Sequence, residues 1–139
     1  MDNCPFCAIV LGEDPSARVI CRKPTWMAFF PLNPAARGHT LVVPIEHVEN
    51  YWRLDADLAA DLAAGALRVG QALERVFEPE GMNLITSAGQ AAEQTVGHVH
   101  LHVLPRWEDD RVGPIWPPDE ETSSEVLDSL ADEVRAAYR

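Results

Sequence analysis

The chain has 139 residues, 47% of them hydrophobic, which is enough for one domain with its own core. Its formal net charge of −11 excludes a nucleic-acid polymer as partner, because phosphate backbones require a basic footprint. A small anion remains allowed, since its binding depends on the local field and not on the total charge.

No apolar run approaches the ~20 residues of a membrane helix, so no membrane span is expected. The start, Met1-Asp2-Asn3-Cys4-Pro5-Phe6-Cys7, lacks a positive region followed by an apolar block. No signal peptide is expected, and a cytoplasmic protein is. Cys4, Cys7 and Cys21 are an odd set of three, which argues against a secreted disulfide framework.

Cys4–Leu11 reads as a short helix stopped by Gly12 and the turn-like Glu13-Asp14-Pro15-Ser16. Val19–Arg22 and Trp26–Phe30 read as strands about a Lys23-Pro24 turn, with Cys21 as a small core hydrophobe. Pro31–Gly38 is a loop, and Thr40–Val43 is a β-branched strand closed by Pro44. Asp55 is a helix N-cap. After it Leu58, Leu62, Ala66, Val69, Leu73 and Val76 recur in steps of three or four, the period of one buried stripe. That helix should end near Phe77, before Pro79.

Met82–Ser87 reads as the next strand and Ala88–Glu93 as a small-residue loop. Val96–Leu104 alternates strongly and is predicted as a strand. An acidic, proline-rich stretch follows Pro105-Arg106-Trp107 and ends at Trp116-Pro117-Pro118. A last helix is expected after Thr122, whose hydroxyl and Glu125 form a capping-box pattern, with Val126, Leu127, Leu130, Val134 and Tyr138 as its stripe. Sequential, hairpin-compatible strands with one long inserted helix define an α+β fold: an antiparallel sheet of about five strands in a single domain, 1–139.

Gly97-His98-Val99-His100-Leu101-His102-Val103-Leu104 carries the functional argument. A strand's side chains alternate, so His98, His100 and His102 share one face, and Val99, Leu101 and Val103 pack toward a helix on the other. The histidine face is expected to look into a cleft or toward water, because several buried imidazoles need many partners. Such a row suits attack on phosphorus by the central ring, while the outer rings hold charge or give up protons. A row of histidines on a strand can also bind a catalytic zinc with an open position.

Cys4-x-x-Cys7 reads as half of a tetrahedral zinc site, as a redox pair, or as two unrelated thiols. The redox reading expects a neighbouring βαβ unit, which is not evident. A zinc site needs two more ligands, for which His47 and His98 are the candidates.

His98-Val99-His100-Leu101-His102-Val103-Leu104 resembles the signature of the histidine triad (HIT) superfamily, His-φ-His-φ-His-φ-φ with φ apolar. Phe29 to Pro44, ending Gly38-His39-Thr40-Leu41-Val42-Val43-Pro44, resembles the family's first strand pair and the histidine that precedes the triad. Gln94-Thr95-Val96 resembles the lead into it. The Cys-Pro-Phe-Cys start and Trp26-Met27-Ala28-Phe29 fit the same family order.

The resemblance implies a HIT-like fold and hydrolysis or transfer of nucleoside 5′-monophosphate groups from phosphoramidates, acyl adenylates or dinucleoside polyphosphates. It makes His100 the nucleophile, His102 a phosphate ligand, and His39 and His98 supports of the triad. Phe29, Phe30 and Leu32 would line the base and ribose pocket, with Asn33 as a candidate for the ribose hydroxyls, Ser87 near the nucleotide, Gln94 by the phosphate and Thr95 near the leaving group. It implies a structural zinc held by Cys4, Cys7, His47 and His98, and a homodimer made by joining sheets.

Three positions depart from the family pattern. Pro31 stands where one branch has a ribose-binding Asp, Glu93 where many members have Gly, and Ser87 where that branch has Asn. A nucleotide-binding or scaffolding dimer with little turnover is therefore a second class. Arg37 and Arg106 are further phosphate candidates, and Trp107 and Trp116 could pack or stack.

Overall fold

The computed structural model describes residues 3–139; Met1 and Asp2, part of the start read above as lacking a signal peptide, lie outside the described residues. The elements are α1 (Pro5–Val10), β1 (Arg18–Arg22), β2 (Trp26–Phe30), β3 (Thr40–Pro44), α2 (Ala56–Phe77), β4 (Gly81–Ile85), β5 (Leu101–Arg106) and α3 (Ser124–Ala137). The five strands form one antiparallel sheet in the order β1-β2-β3-β5-β4. Among the described residues no helix is long and apolar enough to cross a membrane.

Alternation along the central strands sorts the core into two layers. Trp26, Ala28, Val42, Leu101 and Val103 face α2 and meet Leu62, Ala66, Val69 and Leu73. Their neighbours Met27, Phe29, Leu41 and Val43 face the opposite way and pack against Phe6 and Val10 of α1. The sheet thus has the long helix on one face and α1 on the other. The histidine row lies on the α1 face.

Helix α2 starts and ends where the sequence placed it. Asp55 accepts a hydrogen bond from the Leu58 N–H at 2.8 Å, satisfying one free donor of the first turn. Glu78 ends it in the left-handed conformation, φ +47°.

Three expectations need correction. The triad strand does not run from Val96. Ladder pairing begins at Leu101, and residues 96–98 bend instead, with the Val99 N–H donating to the Val48 carbonyl. β4 stops at Ile85, and Thr86 turns its hydroxyl onto the His100 carbonyl at 2.9 Å. Helix α3 is capped by Ser123, not Thr122, through a bond from the Val126 N–H. No residue of α3 is buried, and its apolar stripe is open, Val134 being 68% exposed.

Candidate active site and metal centre

The imidazoles on the α1 face form a continuous row. The His47 and His98 rings lie 4.9 Å apart, His100 and His102 4.8 Å, and His102 and His39 5.1 Å. The Phe6 ring joins the two halves, edge-on to His98 at 5.9 Å and to His100 at 5.1 Å.

The shared face is as expected, but one surrounding is not. His98 is fully buried, so it faces neither cleft nor water. Its burial is tolerated because both ring nitrogens have partners from distant segments. Nε2–H donates to the Pro44 carbonyl at 3.0 Å, and Nδ1 faces the sulfurs of Cys4 and Cys7, each at 3.5 Å.

The hydrogen bonds fix the tautomers. The His100 Nδ1–H donates to the His98 carbonyl at 2.9 Å, which leaves the lone pair on Nε2. Among the described residues that nitrogen has no partner and is not sealed away. His39 Nδ1 accepts from the Ala35 N–H at 3.0 Å, so its proton sits on Nε2 and is donated to His102 Nδ1 at 2.9 Å. His102 therefore carries its own proton on Nε2.

Burial lowers the proton affinity of all four of these rings. It is the leading cause for His39, His98 and His100, and it takes His102 down to about 4 with help from His100 and His39. All four are neutral at pH 7.

His39, His100 and His102 open on a cavity of about 370 Å³, within the range of small-molecule sites. Phe29, Phe30, Pro31, Leu32 and Asn33 form one wall of it, and Thr95 lies at its edge. Gln94 and Ser87 do not line it. The Gln94 carboxamide is engaged by the Gly89 N–H and by the carbonyls of Glu49 and Val96, each within 2.9 Å. Glu93 beside it is held at φ +67°, the left-handed region that glycine enters without strain.

The two arginine candidates are elsewhere. Arg37 lies over the Phe77 ring at 5.3 Å. Arg106 pairs with Asp110 at 2.7 Å and also donates to Asn83 and Gly113, anchoring the segment after β5. Trp107 contributes to that anchor region, and Trp116 is 83% exposed.

Sequence reasoning missed the α1 wall of the cavity, Pro5, Phe6 and Ile9, and the rim residues Asp14, Ser16 and Arg18. A signal for Phe6 was present: it lies between the two cysteines, so any ion that gathers them carries the ring toward the triad.

Cys4, Cys7, His47 and His98 present their ligand atoms within 4.8 Å of one another. In a tetrahedral zinc centre a sulfur and a nitrogen ligand stand ~3.5 Å apart, given the usual bond lengths. Three of the four sulfur–nitrogen separations here are 3.5, 3.2 and 3.5 Å. The Pro44 carbonyl orients the His98 ring in the way outer-shell acceptors orient zinc-bound histidines. Burial, followed by Cys4, raises the pKa of the Cys7 thiol, and a cation would offset that by binding the thiolate. The residues fit a closed structural site with no open position.

A five-stranded antiparallel sheet, a buried histidine row and an apolar cavity at its end define a histidine-triad type of α+β protein. Residues 12–109 match the HIT domain. The chain is 31% identical over 138 residues to the adenosine 5′-monophosphoramidase of Schizosaccharomyces pombe, covering 99% of both chains. Among solved structures, one from Streptococcus mutans UA159 superposes with a TM-score of 0.93 at 32% identity, covering 100% of this chain and 87% of that one. A zinc-bound histidine triad family protein from Mycobacterium smegmatis gives 0.74 at 34% identity, with 97% of each chain covered. The protein belongs to the HIT family.

Proposed function

We propose that the protein is a nucleotidyl hydrolase or transferase that works through a nucleotidyl-His100 intermediate. The observation that carries this is the His100 Nδ1–H bond to the His98 carbonyl, which commits the Nε2 lone pair of a neutral ring to the cavity.

In the proposed reaction His100 Nε2 bonds to the α-phosphorus of a nucleoside 5′-monophosphate derivative as the bond to the leaving group breaks. His102 Nε2–H, held by the relay from Ala35 through His39, faces the phosphate oxygens and stabilises their charge. The leaving group departs with a proton taken from solvent. Water, or another acceptor, then attacks phosphorus, releases the nucleotide and restores His100. The apolar wall of Phe29, Phe30 and Leu32 suits a base, and Asn33 and Thr95 offer polar contacts at its margin.

Cys4, Cys7, His47 and His98 would hold a zinc ion, which with four protein ligands would have no open position for chemistry and would serve to pin α1 and His98. The substrate class is an AMP-type phosphoramidate, acyl adenylate or dinucleoside polyphosphate, supported by the relative described as an adenosine 5′-monophosphoramidase.

The test is AMP release from adenosine phosphoramidate and from a dinucleoside tetraphosphate by wild type and His100→Ala. The variant is expected to lose at least ~10³-fold in turnover, in line with removal of a nucleophile, while binding AMP. Equal rates would refute the mechanism. AMP binding without turnover in wild type would favour the nucleotide-binding class.

A homodimer belongs to the same proposal. β4 is an outer strand of the sheet, and Leu84 and Leu67, 60% and 62% exposed, flank the groove between it and α2. An exposed apolar strand edge on a stable protein calls for a cover. Sedimentation at monomer mass would overturn this assembly.

A further inference from the structure

Helix α1 interleaves two sets of residues. Cys4, its N-cap, and Cys7 present sulfur to the metal centre. Pro5, Phe6 and Ile9 form a wall of the cavity that contains His100 and His102. The helix is six residues long, and a helix that short has no stability of its own. Its place is set by what it touches. Phe6 and Val10 pack with Met27, Phe29, Leu41 and Val43, and the cysteines meet His47 and His98, which lie 40 and 91 residues further along the chain than Cys7.

Two physical links join the sites. The Phe6 ring is edge-on to both His98 and His100 and also to Phe29, at 5.3 Å from the last. His98 faces the sulfurs with Nδ1, and its carbonyl accepts the hydrogen bond from His100 Nδ1–H.

We propose that metal occupancy and nucleotide affinity are coupled through α1, with Phe6 as the positioning residue that transmits the coupling. The inference rests on the nucleotide reading above. The two states are α1 docked, with the cavity wall complete, and α1 released. A metal ion that binds Cys4 and Cys7 together with His47 and His98 stabilises the docked state. A nucleotide that packs against Phe6 and Ile9 stabilises the same state. Two ligands that favour one state raise each other's affinity by the same factor. Phe6 acts through His100 and the wall and takes no part in bond making.

The experiment uses the full chain, zinc and AMP. The AMP dissociation constant is measured by calorimetry on zinc-loaded protein and on protein stripped by chelation. The zinc dissociation constant is measured by competition with a chromophoric chelator, with and without saturating AMP. Zinc is expected to tighten AMP binding about ten-fold, and AMP to tighten zinc binding by the same factor, a size common for coupled sites. Phe6→Ala is expected to weaken zinc binding in the absence of AMP, because the ring's packing also favours the docked helix, while the AMP effect on zinc falls below two-fold. Phe6→Leu, which refills part of the wall, should recover part of it.

The zinc measurement on Phe6→Ala keeps the test decisive even if the stripped protein unfolds. Zinc affinity in wild type that is unchanged by bound AMP overturns the coupling. So does a Phe6→Ala protein that keeps the full AMP effect. Zinc-loaded wild type that does not bind AMP at all overturns the nucleotide reading, and the coupling with it.

Discussion

The His39–His102 pair makes stability depend on pH in a way that can be isolated. Each ring already has the partner its neutral form requires. His39 Nδ1 accepts from the Ala35 N–H, and His102 Nδ1 accepts from His39 Nε2–H. A second proton on either ring would put two donors face to face. This adds to the effect of burial, and His102 stays neutral down to a pKa of about 4. In the unfolded chain a histidine takes up its proton near pH 6.5.

Between those two values the unfolded state binds more protons than the folded one, so stability falls as the pH falls. The His102 contribution is complete above about pH 6.5 and is lost by the time the pH has dropped through about 4. At about 1.4 kcal/mol per unit the loss would be about 3 kcal/mol. The ring is partly open to the cavity, and solvent screening brings the figure to about 2 kcal/mol.

The perturbation is His102→Asn, whose carboxamide oxygen can still accept from His39 but cannot be protonated in this range. Denaturant unfolding of both zinc-loaded proteins is measured at several pH values from 7.5 to 4. The metal site and the other histidines are common to both and cancel in the difference. Wild type is expected to lose about 2 kcal/mol more than the variant across the window. Parallel curves for the two proteins would refute the tautomer chain.

Two changes to the scaffold test the backbone and packing arguments. Glu93→Gly relieves a left-handed residue at φ +67° and is expected to add about 1 kcal/mol of stability, seen as a rise of about 3 °C in Tm. An unchanged or lower Tm would show that the Gln94 loop needs the glutamate. Gly65→Ala should destabilise by about 1–3 kcal/mol although alanine is the better helix former, because its Cβ would lie 2.7 Å from the Trp26 ring. A stabilised variant in chemical denaturation would mean that Trp26 shifts freely.

The parts of the fold that sequence revealed are those set by local chemistry. Asp55 and the stripe from Leu58 to Leu73 specify α2 because cap and period lie within the segment itself, although Val76, read as the last member of that stripe, is 69% exposed. The parts it did not reveal depend on pairing. Alternation in Val96–Leu104 records which face each side chain takes, and that held for the three histidines. It carries no information on which backbone groups find a neighbour, so the ladder's start at Leu101 was not visible. The family pattern places the Gln94 carboxamide by the phosphate, whereas its bonds go to Gly89, Glu49 and Val96, one of them 45 residues away. Arg106 looked like a free cation because Asp110 and Asn83 read as ordinary loop and strand residues. The four candidate metal ligands lie in three separate segments with spacings unlike a zinc finger, so the residues alone make the pairing weak; the fold brings their ligand atoms within 4.8 Å of one another.

On the proposed reading, a chain with a net charge of −11 must hold a phosphate without a strong positive field. The four neutral imidazoles account for how it can. A cationic row would attract the anion more strongly, but a protonated His100 has no lone pair with which to attack. Burial removes the charge, and the hydrogen bonds then decide where each remaining proton sits: Nδ1 on His100, Nε2 on His39 and His102. The site therefore offers an oriented N–H donor beside an oriented lone pair, with no competing charge on either ring. That arrangement gives up some ground-state attraction, and burial holds the proton affinity of the nucleophile below that of a free histidine. It also explains why His98 is buried: its carbonyl fixes the His100 tautomer, and a carbonyl on a mobile or hydrated segment could not do so.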